Sequence, residues 1–202
     1  MFTGIAQSII ILVFVGIFYG MDTAYIHKFD AVRQAEGSGR SVSYTLFVAS
    51  LVAVLVLQPV FLPQVSLIVS GGWGIFIQGL GVVTILSAMG LHLWSRRHLR
   101  QFYAERVELQ REHQLIDSGP YATVRHPVFT SFFLFAGGLL LINPALPSAL
   151  VFAYTLWDFS RAARAEETLL CASLPGYTEY MDRTGAFFPR RISLRAGNQH
   201  EH

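Results

Sequence analysis

Long apolar stretches separated by short polar ones set the pattern of this chain. Gly4 to Met21 is the first apolar run and contains no charge; Val42 to Leu62 and Trp73 to Trp94 follow. Val128 to Ile142 is the fourth, and Ala149 to about Trp157 opens a fifth. A helix that crosses a bilayer takes roughly 20 residues at about 1.5 Å each, which the first three runs supply. The last two runs are shorter. They are joined by Asn143-Pro-Ala-Leu-Pro-Ser148, where Pro144 and Pro147 predict a tight turn, because neither can continue a helix. The expected fold is therefore an all-α integral membrane protein of five transmembrane helices, with helices 4 and 5 forming a hairpin. No Lys or Arg precedes the first run and no small-residue cleavage site follows it, so it reads as a retained helix rather than a signal peptide.

Charge placement orients this arrangement. All 15 Lys and Arg fall in three segments: Asp22 to Ser41, Ser95 to Pro127, and the C-terminal part from Arg161 on. The loops Pro63 to Gly72 and Asn143 to Ser148 have none. With five helices the three basic segments share one side, which the positive-inside rule makes cytoplasmic. The N-terminus is then outside and the C-terminus cytoplasmic. The charged and His side chains share that side, except His92 just inside the third helix. Composition agrees: 52% of residues are hydrophobic and 14% charged, against roughly 25% charged in soluble domains. A formal net charge of +2 is too weak to point to nucleic acid. The single Cys171 excludes an intrachain disulfide and reads as a small packed thiol. The expected organisation is a scaffold of three helices over residues 1–90. A catalytic half follows over 91–192, with a cytoplasmic linker, the hairpin and a C-terminal cytoplasmic segment; residues 193–202 read as a disordered tail.

Two constellations carry candidate chemistry. The first is Gln114-Leu-Ile-Asp-Ser-Gly-Pro-Tyr-Ala-Thr-Val-Arg-His-Pro127, ahead of the fourth helix. Gly119-Pro120 signals a turn, and Pro127 suits the first helical position, where its missing N–H costs nothing. Arg125 and His126 are then held just outside a helix start whose N–H groups and dipole favour an anion. Spacing alone equally allows them to be interfacial residues reaching lipid headgroups. The second constellation is Asp158-Phe-Ser-Arg161-Ala-Ala-Arg164-Ala-Glu166-Glu167. Asp158 falls roughly 16 Å along its helix, near mid-membrane, and so must face protein or a wet cavity. Arg161, three residues on, lies on the same face, within reach of pairing with it. Glu166 and Glu167 point about 100° apart and so take different jobs. A structural reading, in which these charges only orient the helix, stands beside the functional one. Four histidines, His92, His98, His113 and His126, crowd the ends of helices three and four. There is no HxxxH or CxxC pair, so a metal is not expected. No GxGxxG marks a dinucleotide-binding domain.

The stretch His113-Gln-Leu-Ile-Asp-Ser-Gly-Pro-Tyr-Ala-Thr-Val-Arg-His-Pro127, followed by Arg161, Glu166-Glu167, Tyr177, Tyr180 and Phe188-Pro189, resembles the isoprenylcysteine carboxyl methyltransferase family and related phospholipid methyltransferases. The resemblance runs from about Leu91 to Pro189. It implies an S-adenosyl-L-methionine-dependent methyltransferase, releasing S-adenosyl-L-homocysteine, with a cofactor pocket at the cytoplasmic helix ends. By motif position, His113, Leu115, Gly119, Tyr121, His126, Pro127 and Glu166 would line that pocket. Arg125, Arg161 and Glu167 would lie nearer the acceptor or brace the site. Phe129 stands where the family pattern has Tyr, Ser131 where it often has Gly, and Leu174-Pro175-Gly176 replaces a Phe-Gly.

Methyl transfer from an activated sulfonium mainly requires alignment of donor and nucleophile. For a carboxylate acceptor, Arg125 or Arg161 would form the clamp. For an amine or thiol, Asp158, Glu167 or His126 would take the proton. The implied acceptor is lipophilic and enters from the bilayer; the location is the cytoplasmic membrane of a prokaryote. Two other readings remain open at this level: a membrane reductase on a related scaffold, and a non-enzymatic haem-binding or transport protein.

Overall fold

The structure, a computed structural model, describes residues 2–29, 42–67, 71–106 and 115–190. Among them lie six α-helices: α1 (Gly4–Phe29), α2 (Val42–Phe61), α3 (Gly72–Arg106), α4 (Pro127–Ile142), α5 (Leu146–Ser173) and α6 (Tyr177–Arg183). Short 3-10 turns occupy Pro63–Val65 and Gly119–Ala122. No strand is formed among these residues; the sole bridges are Ser66 with Ala145 and Val124 with Gly185. The fold is all-α, as expected. Over Gly4–Ala24 and Gly72–Leu99 the helices are long and apolar enough to cross a membrane, while Thr45–Phe61 and Pro127–Ile142 are shorter apolar stretches.

Several helices outrun their apolar runs. α3 continues past Trp94 to Arg106, because straight-chain Arg, Gln and Glu propagate a helix well once it is nucleated. α5 begins at Leu146 rather than Ala149, with Pro147 in its first turn, where a proline is tolerated. The turn between α4 and α5 is correspondingly short. α6 has no apolar run to announce it. It starts from Gly176, whose φ of 80° places it in the left-handed region that glycine tolerates.

α4 is the central element, packed mainly along α3. Gly81 and Gly138 face each other across this contact. A Cβ on Gly138 would lie 2.6 Å from Ile85 Cγ1 and 2.9 Å from the Gly81 carbonyl oxygen, so only glycine permits the backbones to come this close. Around the pair, Ile11, Phe18, Leu55, Ile85, Phe135, Leu139 and Ile142 form the buried apolar core. Outward, Ile5, Ile9, Leu12, Trp73, Phe76, Val83 and Leu86 are exposed. That surface suits hydrocarbon rather than water.

Polar groups tie α1 to this core at two levels. Near one end, Gln7 Nε2 donates to the Ile142 carbonyl at 2.8 Å. Towards the other, Asp22 meets Arg96 at 2.5 Å and lies 3.4 Å from His92 Nε2. His92 Nδ1 is also 3.0 Å from Ser131 Oγ, so this fully buried ring links α1, α3 and α4.

Candidate functional site

Arg125 organises the site. It sits one residue before the α4 N-cap, His126. Its Nε donates to Glu167 Oε1 at 2.8 Å, and its terminal nitrogen donates to the carbonyls of Met181, at 3.1 Å, and Thr184. The backbone of the same segment pairs with the chain beyond α6: Arg125 N–H donates to Gly185 O at 2.8 Å and His126 N–H to Ala186 O at 3.0 Å. Thr130 Oγ1 donates to Phe187 O at 3.1 Å. The carbonyls of a stretch of irregular backbone over residues 184–187 thus each accept a hydrogen bond from Arg125, His126 or Thr130 at the start of α4. The open anion-accepting helix start expected from sequence is instead covered, and the His126 side chain is only 6% exposed.

His126 lies between two carboxylates from α5. Nε2 is 3.0 Å from Glu167 Oε1 and Nδ1 is 3.6 Å from Glu166 Oε2. A carboxylate only accepts, so the Glu167 bond requires the proton on Nε2. Phe129 stacks on the imidazole with centroids 5.4 Å apart and planes 9° from parallel. The aromatic ring at that position therefore fixes the imidazole plane without the family pattern's tyrosine hydroxyl. The two glutamates differ as their angular separation on the helix requires: the Glu167 side chain is 14% exposed, that of Glu166 52%. Both lie beyond the first 20 residues of α5, roughly the length any helix needs to cross a bilayer. Burial raises the Glu167 pKa, but the hydrogen bonds from Arg125 and His126 outweigh it and hold the carboxyl below its ordinary value.

The Gly119–Ala122 turn is docked onto this centre from α6. Tyr180 donates its hydroxyl to the Tyr121 carbonyl at 2.6 Å, and Arg183 pairs with Asp117. Burial pushes the Tyr180 phenol up to about 12, so at neutral pH it keeps the proton it donates. Tyr177, buried beside Glu167, is shifted upward as well.

The sequence-selected residues thus divide. Gly119, Tyr121, Arg125, His126, Pro127, Glu166 and Glu167 come together at one end of the bundle, and half-buried Leu115 leads into the turn. His113 lies outside the described residues. Arg161 is drawn elsewhere: its guanidinium sits 5.3 Å over the exposed Trp157 ring. No Asp158–Arg161 ion pair forms among the described residues; the guanidinium instead has the cation–π surface of the indole one turn back. Asp158 is half-buried. Of the four histidines, the other three, among the described residues, have separate partners: His92 lies 3.0 Å from Ser131 Oγ, His98 3.0 Å from Ser118 Oγ and His126 3.0 Å from Glu167 Oε1. Cys171 is exposed rather than packed, with Sγ 3.3 Å from Met181 Sδ. Sequence reasoning missed Thr130, Tyr180 as a hydrogen-bond donor, and the pairing of 184–187 with 124–130. The tyrosines and Phe188-Pro189 marked the region, but periodicity carries no signal for contacts this far apart in sequence.

Residues 80–172, from within α3 to the end of α5, match the model of the isoprenylcysteine carboxyl methyltransferase (ICMT) family. The resemblance read from the motifs is borne out. It starts earlier than Leu91, and Tyr177, Tyr180 and Phe188-Pro189 fall outside the matched stretch. The chain is 34% identical over 90 residues to the cobalt-zinc-cadmium resistance protein CzcN of Cupriavidus metallidurans, covering 44% of this chain and 41% of that protein. It is 35% identical over 88 residues to the protein-S-isoprenylcysteine O-methyltransferase of Saccharomyces cerevisiae, covering 42% and 36%. With the corresponding enzyme of Schizosaccharomyces pombe the figures are 32% over 81 residues, 39% and 34%. The chain thus spans about two fifths or less of the length of these relatives.

Proposed function

We propose that this protein is an integral membrane methyltransferase that uses S-adenosyl-L-methionine to methylate a lipophilic acceptor. In this reading five helices span the bilayer, and the site around His126 faces the cytoplasm. The observation that carries the proposal is the convergence of the Gly119–Tyr121 turn, the Arg125-His126-Pro127 helix start and Glu166-Glu167 at one end of the bundle. These are the positions at which the matched family is expected to hold its cofactor. The asymmetry of charge along the chain supports the orientation, since the basic segments collect on this side.

The donor set fits the cofactor. Glu166 offers a half-exposed carboxylate next to a buried imidazole, suited to the hydroxyl, ammonium and sulfonium groups of S-adenosylmethionine. Bound there, the cofactor supplies a methyl group already activated by the sulfonium, and S-adenosylhomocysteine is the product. The chain's task is then to hold donor and acceptor in line and exclude water. Arg125 commits its donors to Glu167, Met181 and Thr184, so it braces the site. Glu167 orients His126 through Nε2, and Phe129 and Phe187 hold the ring on its flanks. For an acceptor that loses a proton, a lipid amine or thiol, the His126–Glu167 pair is the base this geometry offers. A carboxylate acceptor, such as that of an isoprenylcysteine, needs no base.

Calorimetric titration of S-adenosylhomocysteine into the purified protein, with His126→Ala and Glu166→Ala alongside, tests this. Saturable binding weakened by both substitutions is expected. Absence of binding by folded wild-type protein in a lipid environment overturns the reading.

A further inference from the structure

His98 belongs to no site assigned above, yet its ring packs directly against Gly119 in the turn that the cofactor reading depends on. Gly119 has φ of 59°, and a Cβ built there would lie 2.7 Å from His98 Cε1 and 2.8 Å from both ring nitrogens. Near-equal distances to three ring atoms mean that the imidazole lies face-on against the glycine, filling the space a side chain would take. The glycine is therefore required twice, by its left-handed backbone and by the ring. His98 Nε2 is also 3.0 Å from Ser118 Oγ, and its ring lies 6.3 Å from that of Tyr121 at 24°.

The opposite flank of the turn is held by α6, through Tyr180 on the Tyr121 carbonyl and Arg183 on Asp117. The turn is thus clasped between α3 and α6. The α3 side of the clasp inherits its position from the same helix that Asp22 and Ser131 anchor through His92 and Arg96.

We infer that His98 is a positioning residue: its ring, lying flat on Gly119, sets the placement of the Ser118–Tyr121 turn for cofactor binding. The inference rests on the proposed cofactor use. A turn displaced by about 1 Å can lose an order of magnitude or more in the interactions it places.

The test titrates S-adenosylhomocysteine into the full chain in lipid nanodiscs, comparing wild type with His98→Phe, His98→Gln and His98→Ala. Phe keeps a flat ring and loses the bond to Ser118; Gln keeps a polar group and loses the ring. The expected result is affinity weakened about tenfold in the Gln and Ala variants and within about threefold of wild type in the Phe variant. A purely structural role would lower the fraction of competent protein, and hence the stoichiometry, while leaving the dissociation constant of the competent fraction unchanged. Unchanged dissociation constants in Gln and Ala, or a loss in Phe equal to that in Gln, overturn the inference while leaving the cofactor reading intact. If Ala does not fold, the Phe and Gln pair decides alone. Failure of folded wild type to bind overturns the underlying reading and this inference with it.

Discussion

The two ends of α4 are both buried and polar, but they are built from different chemistry. At the C-terminal end the groups are neutral amides. The Ile142 carbonyl accepts from Gln7 at 2.8 Å and Gln78 at 3.1 Å, and Asn143 Nδ2 donates to Gln58 Oε1 at 2.5 Å. Gln58, Gln78 and Asn143 are at most 3% exposed. They satisfy a helix C-terminus that would otherwise present unpaired carbonyls to an apolar surround. At the N-terminal end stand Arg125, His126, Glu166 and Glu167, with exposure graded from closed to half open. Amides can lock a helix end without the desolvation penalty of charge. Ionised groups are kept at the end where a polar ligand has something to bind, and the difference separates a structural clamp from a candidate site on one helix.

The sharpest way to break this contrast is Arg125→Ala. It leaves Glu167 half-buried without its cation and frees the carbonyls of Met181 and Thr184. Removing one partner of a buried ion pair costs about 3–5 kcal/mol. We expect the largest fall in thermal stability among single substitutions at either end, together with loss of S-adenosylhomocysteine binding. Lysine should not restore either, since it lacks the planar fork that reaches Glu167 and two carbonyls together. A variant that melts with wild type would show that the charged end is not braced through this side chain.

Asn143→Ala attacks the other end. Gln58 Oε1 loses its donor and Gln7 an acceptor, which should cost about 1–3 kcal/mol. Affinity for S-adenosylhomocysteine should remain that of wild type, because nothing at this end touches the site. Affinity falling in parallel with stability would show that the two ends are coupled along α4.

Acid separates the ends without mutation. The folded-state pKa of Glu167 is lowered, so its contribution to stability is complete above the ordinary carboxylate range and is lost as pH falls through the depressed value. Melting temperature should be level from pH 7 to about 5 and decline below about 4. Glu167→Gln should melt lower at neutral pH with a shallower acid decline. Asn143→Ala should keep the wild-type pH profile at a lower level, since amides do not titrate there. Identical acid limbs for wild type and Glu167→Gln would remove the ion pair from the account.

The two ends were also unequally legible in the sequence. Charged residues in an apolar chain draw attention, so Arg125, His126, Glu166 and Glu167 were visible, and their motif spacing suggested that they meet. Gln7, Gln58 and Gln78 sit inside apolar runs without breaking them, and none was singled out, although an amide facing lipid would have been costly. Asn143, next to Pro144, shows in the sequence only as part of a turn. The helix boundaries drifted for a related reason: hydropathy ends at Trp94, but helix propensity does not. The α6 clasp and the 184–187 pairing depend on long-range contacts, which neither periodicity nor propensity encodes. Arg161 failed in the opposite sense. Its spacing from Asp158 was right for a pair, and the neighbouring Trp157 took it instead.

Glu166→Gln is the mildest change and the most discriminating. The side chain is 52% exposed and lies 3.6 Å from His126 Nδ1, too far for a strong bond. An exposed substitution of this kind should move stability by no more than about 0.5 kcal/mol in either direction. The amide keeps the shape and the acceptor oxygen but removes the charge. A carboxylate that serves only to balance His126 would be replaced without consequence for binding. One that accepts from a cofactor hydroxyl or ammonium contributes a charge-assisted bond of about 1.5–3 kcal/mol, a tenfold or greater loss of affinity when neutralised. Measured side by side, unchanged melting with weakened S-adenosylhomocysteine binding would place Glu166 on the ligand. Unchanged melting with unchanged binding would instead leave the charged end, like the amide end, a clamp.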